Sequence, residues 1–281
     1  MFKRLLLSSL LCFLPLTKLL VAVSQAPPKF NPPRKYYLAL GDSLAFGFQF
    51  SIYNQHYPFV SPELFNHGYV DEFGHMLEGL KPELQTVNFA CPGERTRTFI
   101  DGICPYPFEL HNNYSGSQLE AAITFLSAHP GEVSPITFNL GTNDLNDLQA
   151  LCGSDLSCYQ VQGPIYLSQI STNLDHILGD IRRAAPDSEV ITFTNYNVSF
   201  LLDPRFLELT EAFNAVVTST AAAHRVRVAD VFAAFNNGPQ PAAICTLTLV
   251  CTAADPHPSD LGYRIIAEQI WQVSGYEQLE R

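Results

Sequence analysis

Short apolar runs alternate along this chain with longer segments of helical periodicity. Five runs have the length and the β-branched or aromatic content of buried strands; they are residues 36–40, 86–90, 136–140, 190–195 and 226–231. Between and after them, apolar residues recur at intervals of three and four, as on one face of a helix. This alternation predicts a parallel sheet covered by helices on both faces, because helical crossovers connect parallel strands.

The predicted helices have recognisable ends. Residues 117–120 read Ser-Gln-Leu-Glu, a capping-box pattern that predicts a helix starting after Ser117. Another apolar stripe, over residues 167–181, is ended by Pro186. The last predicted helix follows Ser259, and its apolar stripe begins at Leu261.

Composition and charge restrict the class of protein. Of 281 residues, 47% are hydrophobic and only 15% are charged, so the chain can bury a sizeable core and disorder is not expected over most of its length. The formal net charge of −11 argues against a nucleic-acid partner, which requires a basic face for its phosphates. It argues equally against electrostatic attachment to anionic lipid.

The N-terminal segment has the order of a secretory signal. Lys3 and Arg4 precede apolar residues 5–16 and 19–23, and small residues follow. A retained membrane anchor is the alternative, although Pro15 and Lys18 interrupt the apolar stretch and favour cleavage.

Three regions follow from this pattern. Residues 1–26 are predicted to be the signal peptide, or else the anchor. Residues 27–34, with four prolines, are predicted to be a linker. Residues 35–281 form the predicted domain. We expect it to be secreted, with anchorage at the cell surface as the alternative.

The cysteines agree with an exported chain. Beyond Cys12 six remain, an even number that favours disulfides in an oxidising compartment. Sequential pairing is the simplest arrangement because each pair brackets a predicted loop, but other connectivities and a reduced set remain open. The sequential pairs are Cys91 with Cys104, Cys152 with Cys158 and Cys245 with Cys251. No C-x-x-C or H-E-x-x-H spacing occurs, so we expect no metal site.

Two polar segments follow directly after predicted strands, where parallel sheets place their reactive groups. Residues 41–44 read Gly-Asp-Ser-Leu and would expose the hydroxyl of Ser43 at a strand end. Ser43 as a helix N-cap is the alternative. Residues 88–94 contain Gly93, whose backbone N–H could approach a ligand closely. The alternative is an ordinary Pro-Gly turn.

Two further segments supply an amide and an imidazole. Residues 141–144 follow the third strand, and Asn143 there could direct its amide at a developing negative oxygen or simply cap a helix. Residues 255–258 read Asp-Pro-His-Pro. Neutral His257 could act as a base oriented by Asp255, or both could belong to a polar loop.

Together, the four segments resemble the SGNH (GDSL) hydrolase superfamily, whose blocks occur here in family order over residues 36–272. By this resemblance, Ser43 matches the nucleophile and His257 the base. The backbone N–H groups of Ser43 and Gly93 and the amide of Asn143 match the oxyanion donors. Asp42 is expected to brace the turn.

Residues 88–96 and the sequential cysteine pairs look most like secreted bacterial esterases and lipases of this superfamily. The resemblance implies an α/β fold: a three-layer α/β/α sandwich with a mainly parallel, five-stranded, flavodoxin-like sheet. It also implies ester hydrolysis through an acyl-enzyme, without a metal or organic cofactor.

The last segment departs from the family pattern. The family's aspartate usually lies three residues before the histidine, where this chain has Ala254, whereas Asp255 lies two before. Asp255 is the predicted orienting group, and a backbone carbonyl is the alternative. The G-x-S-x-G signature of other lipases does not occur, since Ala45 replaces its second glycine.

The predicted function is therefore a secreted serine ester hydrolase, an esterase or lipase. The alternatives are a carbohydrate deacetylase of the same fold and a catalytically inactive glycan-binding protein. Expected substrates are small-molecule, lipid or acylated-carbohydrate esters. We expect a monomer with no nucleic-acid partner, and membrane association only if the N-terminal segment is retained. The aromatic-rich residues 46–69 could line the substrate site, although a local core is the favoured interpretation.

Overall fold

A five-stranded parallel sheet forms the centre of the computed structural model, which describes residues 30–198, 206–236 and 242–279. The strand order is β2-β1-β3-β4-β5, and each pairing is parallel. The strands are β1 (Tyr36–Gly41), β2 (Gln85–Asn88), β3 (Val133–Asn139), β4 (Val190–Phe193) and β5 (Arg227–Ala229). The predicted α/β fold with a parallel five-stranded sheet is confirmed.

Helices cover both faces of the sheet. They are α1 (Ser43–Phe46), α2 (Phe50–His56), α3 (Tyr69–Leu80), α4 (Thr96–Asp101), α5 (Gln118–Ala128), α6 (Thr142–Cys152), α7 (Leu156–Ala184), α8 (Phe206–Ala223), α9 (Val231–Asn236), α10 (Ala242–Leu247), α11 (Val250–Ala253) and α12 (Asp260–Ser274). Short 3₁₀ turns lie at Pro62–Phe65 and Tyr276–Leu279.

The two faces of the sheet hold separate hydrophobic clusters because successive strand residues point to opposite sides. Tyr37 and Ala39 of β1 pack in the cluster beneath α3 and α12. Leu38 and Leu40 pack in the cluster beneath α5, α7 and α8. The sheet is therefore the buried middle layer of three.

Four strands end earlier than predicted. Strands β2 and β3 end at Asn88 and Asn139 rather than at 90 and 140, and strands β4 and β5 end at Phe193 and Ala229 rather than at 195 and 231. Beyond β4, the backbone N–H of Asn195 donates to the side chain of Asn214 on α8 instead of extending the sheet. Beyond β5, helix α9 begins at Val231.

Helix boundaries follow local capping. The Ser117 hydroxyl accepts the Glu120 N–H at 3.1 Å, which starts α5 as predicted. The expectation that Leu261 faces the core is wrong: it is 47% exposed, whereas Tyr263 and Ile266 of the same helix are fully buried. The buried stripe of α12 therefore begins one half-turn later than the sequence pattern indicated.

Three disulfides pair the cysteines sequentially, which confirms the predicted connectivity: Cys91–Cys104, Cys152–Cys158 and Cys245–Cys251. The first ties the loop after β2 to the segment around residue 104. The third joins α10 to α11, directly before residues 255–258.

The predicted signal or anchor, residues 1–26, lies outside the described residues, as do residues 27–29. Residues 30–34 of the predicted linker contact the domain. The Phe30 ring packs on Tyr276, and the Asn31 N–H donates to Glu189 at 2.8 Å. Among the described residues, no helix combines the length and the apolar composition needed to cross a membrane.

Candidate active site

A cavity of about 440 Å³ opens at the carboxyl edge of the sheet. Loops that follow β1, β2, β3 and β4 contribute to its walls, together with the segment before α12. Each of the four sequence segments contributes to its lining, and the lining residues include Ser43, Gly93, Asn143 and His257. The fold thus brings together side chains that are more than two hundred positions apart in the chain.

A line of hydrogen bonds connects serine, histidine and aspartate. Ser43 Oγ lies 2.9 Å from His257 Nε2, and His257 Nδ1 lies 2.6 Å from Asp255 Oδ1. Asp255 is 1% exposed and His257 is 8% exposed. A hydroxyl, an imidazole and a buried carboxylate in this order can move a proton off the hydroxyl and stabilise the imidazolium that forms.

The shorter spacing between Asp255 and His257 is accommodated by a tight turn. Asp255 Oδ1 also accepts the backbone N–H of His257 at 3.0 Å, so one oxygen holds both the backbone and the ring. Ala254, with φ of 52°, directs the chain into this turn. The backbone N–H of Phe50 donates to Oδ2 at 2.6 Å. Although burial opposes it, hydrogen bonding and the proximity of His257 lower the pKa of Asp255, which keeps this group ionised.

Residues outside the four segments hold the histidine loop in place. Gln49 donates to the Pro258 carbonyl at 3.0 Å, and the Tyr196 hydroxyl donates to the Pro256 carbonyl at 2.8 Å. The rings of Phe48 and Phe50 each lie 5.2 Å from the imidazole, edge to face. The sequence alone gave no signal for these contacts, because their partners are distant in the chain.

Asp42 is a buried helix cap beside the serine. Its Oδ1 accepts the Leu44 N–H at 3.0 Å, so it braces the turn at the start of α1. Its Oδ2 lies 3.5 Å from Asn143 Nδ2. Burial, with Glu94 and Asp144 nearby, raises the pKa of Asp42 to about 7.

Three potential oxyanion donors belong to residues that line the cavity together: Ser43, Gly93 and Asn143. Ser43 is the first residue of α1, where backbone N–H groups have no acceptor within the helix. Gly93 adopts φ of +85°, a conformation that favours glycine, and it lines the cavity. Asn143 Nδ2 donates to the Glu94 carbonyl at 2.9 Å, which fixes the orientation of the amide.

Gln118, which the sequence pattern assigned only to a helix start, connects the turn before Ser43 to the loop that carries Gly93. Its Oε1 accepts the Gly41 N–H at 2.7 Å, and its Nε2 donates to the Gly41 carbonyl at 3.0 Å and to Glu94 at 3.2 Å. Glu94 is fully buried, which raises its pKa. Gly41 tolerates no side chain, because a Cβ there would lie 2.4 Å from the Asn139 carbonyl oxygen.

The aromatic segment 46–69 divides between the two interpretations. Phe46, Phe65 and Tyr69 are fully buried and form core. Phe48, Phe50 and Tyr53 instead line the cavity beside His257. Position along the segment therefore decides which rings line the cavity and which belong to the core.

Across the three described stretches, no three His, Cys, Asp or Glu side chains group as a metal site would require.

Comparison with known proteins supports a family assignment. The model of the GDSL-like lipase/acylhydrolase family matches residues 39–265. A search of curated protein sequences finds no match.

Solved structures with the same fold include three hydrolases. A GDSL-like lipase from Parabacteroides merdae has a TM-score of 0.59 at 14% identity, covering 88% of this chain and 99% of that one. An acetyl xylan esterase from Geobacillus stearothermophilus has a TM-score of 0.59 at 17% identity, covering 88% and 97%. An extracellular lipase from Streptomyces rimosus has a TM-score of 0.57 at 17% identity, covering 85% and 99%. Because the family model matches most of its length, the chain belongs to the GDSL-like lipase/acylhydrolase family and is a carboxylic ester hydrolase.

Proposed function

We propose that this chain is a secreted serine esterase that works through an acyl-enzyme on Ser43. The observation that carries the proposal is the continuous hydrogen-bonded line from Ser43 through His257 to Asp255, at 2.9 and 2.6 Å, in the wall of the cavity.

In the first step, His257 Nε2 takes the proton of the Ser43 hydroxyl as Oγ attacks the ester carbonyl. Asp255 stays ionised, holds the Nδ1 proton and stabilises the imidazolium. The Nε2 proton then passes to the leaving alcohol, and the acyl group remains on Ser43. In the second half, His257 Nε2 takes a proton from a water molecule as its oxygen attacks the acyl-serine. The bond between the acyl carbon and Ser43 Oγ then breaks, His257 returns the proton to Oγ, and the acid is released.

The oxyanion formed in both halves is stabilised by the N–H groups of Ser43 and Gly93 and by the amide of Asn143. One Asn143 hydrogen is held by the Glu94 carbonyl at 2.9 Å, whereas the contact with Asp42 is longer, at 3.5 Å. The hydrogen on the Asp42 side is therefore the one that can bond to an oxyanion, because only the longer of the two contacts is then lost.

Hydrolysis of a nitrophenyl ester series, from acetate to palmitate, tests the proposal. The Ser43→Ala variant should lose at least about 10⁴-fold in kcat/KM because the covalent step is removed. Ser219→Ala, which changes an exposed serine of α8, is the matched control and should retain activity. A nitrophenyl phosphonate should modify the wild type covalently at one site, and the modified peptide should be the one that contains Ser43. Activity that survives Ser43→Ala would overturn the mechanism.

Secretion is supported by the N-terminal pattern and by the three disulfides, which form in oxidising compartments. The mass of the chain recovered from the culture medium should correspond to cleavage near Ala26, and the chain should elute as a monomer. Recovery of the intact N-terminus in the membrane fraction would establish the anchored alternative.

A carbohydrate deacetylase is the second candidate. It is favoured by the shared fold with an acetyl xylan esterase. The rings of Phe48 and Phe50 beside His257, and that of Tyr53 in the same cavity, suit the apolar faces of sugars as well as lipid chains, so they are compatible with both candidates. Acetate release from acetylated xylan, with little hydrolysis of nitrophenyl esters longer than butyrate, would identify this activity. An optimum at longer chains would identify an esterase or lipase.

A further inference from the structure

An ion pair joins the two elements that carry proposed oxyanion donors. Arg95 follows Gly93 by two residues, and Asp147 lies on α6, one helical turn after Asn143. The Arg95 guanidinium donates from Nη2 to Asp147 Oδ1 at 2.7 Å and from Nε to Asp147 Oδ2. Neither residue lines the cavity that contains Ser43. Any effect of this pair on the reaction must therefore pass through the residues that it holds.

The same guanidinium also holds the Gly93 carbonyl. Arg95 Nη1 donates to the Gly93 carbonyl oxygen at 3.0 Å. Because a guanidinium is planar and rigid, the two bonds to Asp147 fix the direction in which Nη1 points. Arg95 thus connects the backbone of Gly93 to α6, the helix on which Asn143 also lies.

Gly93 needs such a restraint because glycine has wide conformational freedom. It adopts φ of +85°, and its turn is closed by the Glu94 N–H, which donates to the Cys91 carbonyl at 3.1 Å. The N–H and the carbonyl of Gly93 belong to neighbouring peptide planes that meet at its Cα. Holding the plane of the carbonyl therefore limits how far the N–H can tilt.

Other contacts fix neighbouring residues of this loop to α6. Asp144 accepts the Thr96 N–H at 3.0 Å and the Thr96 hydroxyl at 2.6 Å. Asn143 donates to the Glu94 carbonyl at 2.9 Å. The loop as a whole is anchored by these bonds, and the ion pair adds the restraint at Gly93 itself. Loss of the ion pair should therefore change the direction of the Gly93 N–H without detaching the loop.

The exposure of the ion pair separates this role from a role in stability. The side chains of Arg95 and Asp147 are 38% and 41% exposed. An ion pair exposed to this degree contributes a small fraction of the stability of a domain. Removing it should leave the free energy of unfolding close to that of the wild type, so a catalytic effect can be measured on a folded protein.

We infer that Arg95 and Asp147 are positioning residues of the oxyanion site, which hold the Gly93 N–H in register with the Asn143 amide. The inference rests on the proposed function, in which both groups are oxyanion donors. One such donor is worth about 10²–10³-fold in kcat, so a misdirected donor should cost part of this, roughly tenfold. KM should change little, because the donor acts on the transition state.

Two single variants and their combination test the inference, with the nitrophenyl ester that the wild type hydrolyses fastest as substrate. Arg95→Lys keeps the positive charge but cannot bond Asp147 twice and Gly93 at the same time. Asp147→Asn leaves a single acceptor for the guanidinium. Each should lower kcat about tenfold and leave KM within about twofold. The double variant should lose no more than the worse single variant, because both changes remove the same restraint.

Inhibition by a trifluoromethyl ketone gives a second readout. Ser43 Oγ attacks this ketone to form a hemiketal oxyanion while His257 keeps the proton, so the adduct uses the oxyanion donors without any bond being hydrolysed. Its Ki should rise in each variant by about the factor by which kcat falls. Arg97→Lys and Asp101→Asn are the matched controls, since they change the exposed ion pair on α4 and should leave kcat and Ki unchanged.

Urea unfolding of every variant completes the test, and its midpoints should lie close to that of the wild type. The two single variants disturb the pair from opposite ends, so either one decides the test if the other folds poorly. A wild-type kcat in the folded variants would overturn the inference, as would a lower kcat with an unchanged Ki. Activity that survives Ser43→Ala would instead refute the proposed function.

Discussion

Replacing Asp42 by asparagine should make the protein more stable at alkaline pH and leave its stability at acid pH almost unchanged. Asp42 is 1% exposed, and burial raises its pKa from 3.8 to about 7. The folded protein therefore holds a proton that the unfolded chain loses near pH 4. The stabilisation that comes from binding this proton is fully present below pH 4 and is lost progressively as the pH rises through 7.

The magnitude follows from the separation of the two pKa values. Each pH unit corresponds to about 1.4 kcal/mol, so an ionised Asp42 costs at most about 4 kcal/mol at pH 8. Asparagine keeps an oxygen for the Leu44 N–H and removes the charge. We expect Asp42→Asn to raise the free energy of unfolding by about 2–4 kcal/mol at pH 8 and by little at pH 4.

Urea unfolding at pH 4, 6 and 8, followed by circular dichroism with the disulfides intact, measures this difference. Acids that do not interact with Asp42 change the slope of the wild type and of the variant alike, so their contribution cancels in the difference. Glu94 and Asp144 interact with Asp42, so the measured difference includes the change in their own titration. Asp101→Asn is the control, because this exposed carboxylate pairs only with Arg97 at the surface. A stability difference that is the same at all three pH values would refute the reasoning.

Three other variants test separate parts of the structure. Gly262→Ala should destabilise the fold by at least about 3 kcal/mol in urea unfolding, because the added Cβ would lie 1.9 Å from the Leu247 carbonyl oxygen. Gly79→Ala is its control and should be neutral or stabilising, because a Cβ there would meet no other part of the fold within 4 Å. Replacing Cys245 and Cys251 together by serine should cost about 2 kcal/mol in the same assay, the entropy of opening a short loop, and no loss would show that packing alone holds α10 and α11. Asn143→Ala should lower kcat about 10²–10³-fold with little change in KM, and an effect confined to KM would remove Asn143 from the oxyanion site.

Much of the fold was predictable because each strand is a short apolar run that ends at a polar segment. Parallel strands place those ends at one edge of the sheet, so Ser43, Gly93 and Asn143 could be expected together before any coordinates. The disulfide pairing was predictable for a related reason, since each cysteine pair encloses a short loop.

Residues that act through distant partners were not predictable. Gln118 lies in an ordinary capping pattern, yet its amide holds Gly41 and Glu94. Asn195 was predicted to be the last residue of a strand, because the sequence pattern does not show where that strand ends. In the structure its backbone N–H donates to the side chain of Asn214, a residue of another element. Leu261 was assigned to the core because its spacing fits a helix stripe, but near a helix end tertiary packing decides which residues are covered.

The buried acids near the proposed oxyanion donors link stability to the proposed chemistry. Asp42, Glu94 and Asp144 all have raised pKa values because they are buried, and each is held by hydrogen bonds from the loops that carry the site. An ionised Asp42 would compete with the oxyanion for the same Asn143 hydrogen and would repel its charge. A neutral Asp42 caps α1 without that competition. On the proposed mechanism, the buried carboxyl of Asp42 lowers stability at high pH at a position where its neutral form serves the reaction better.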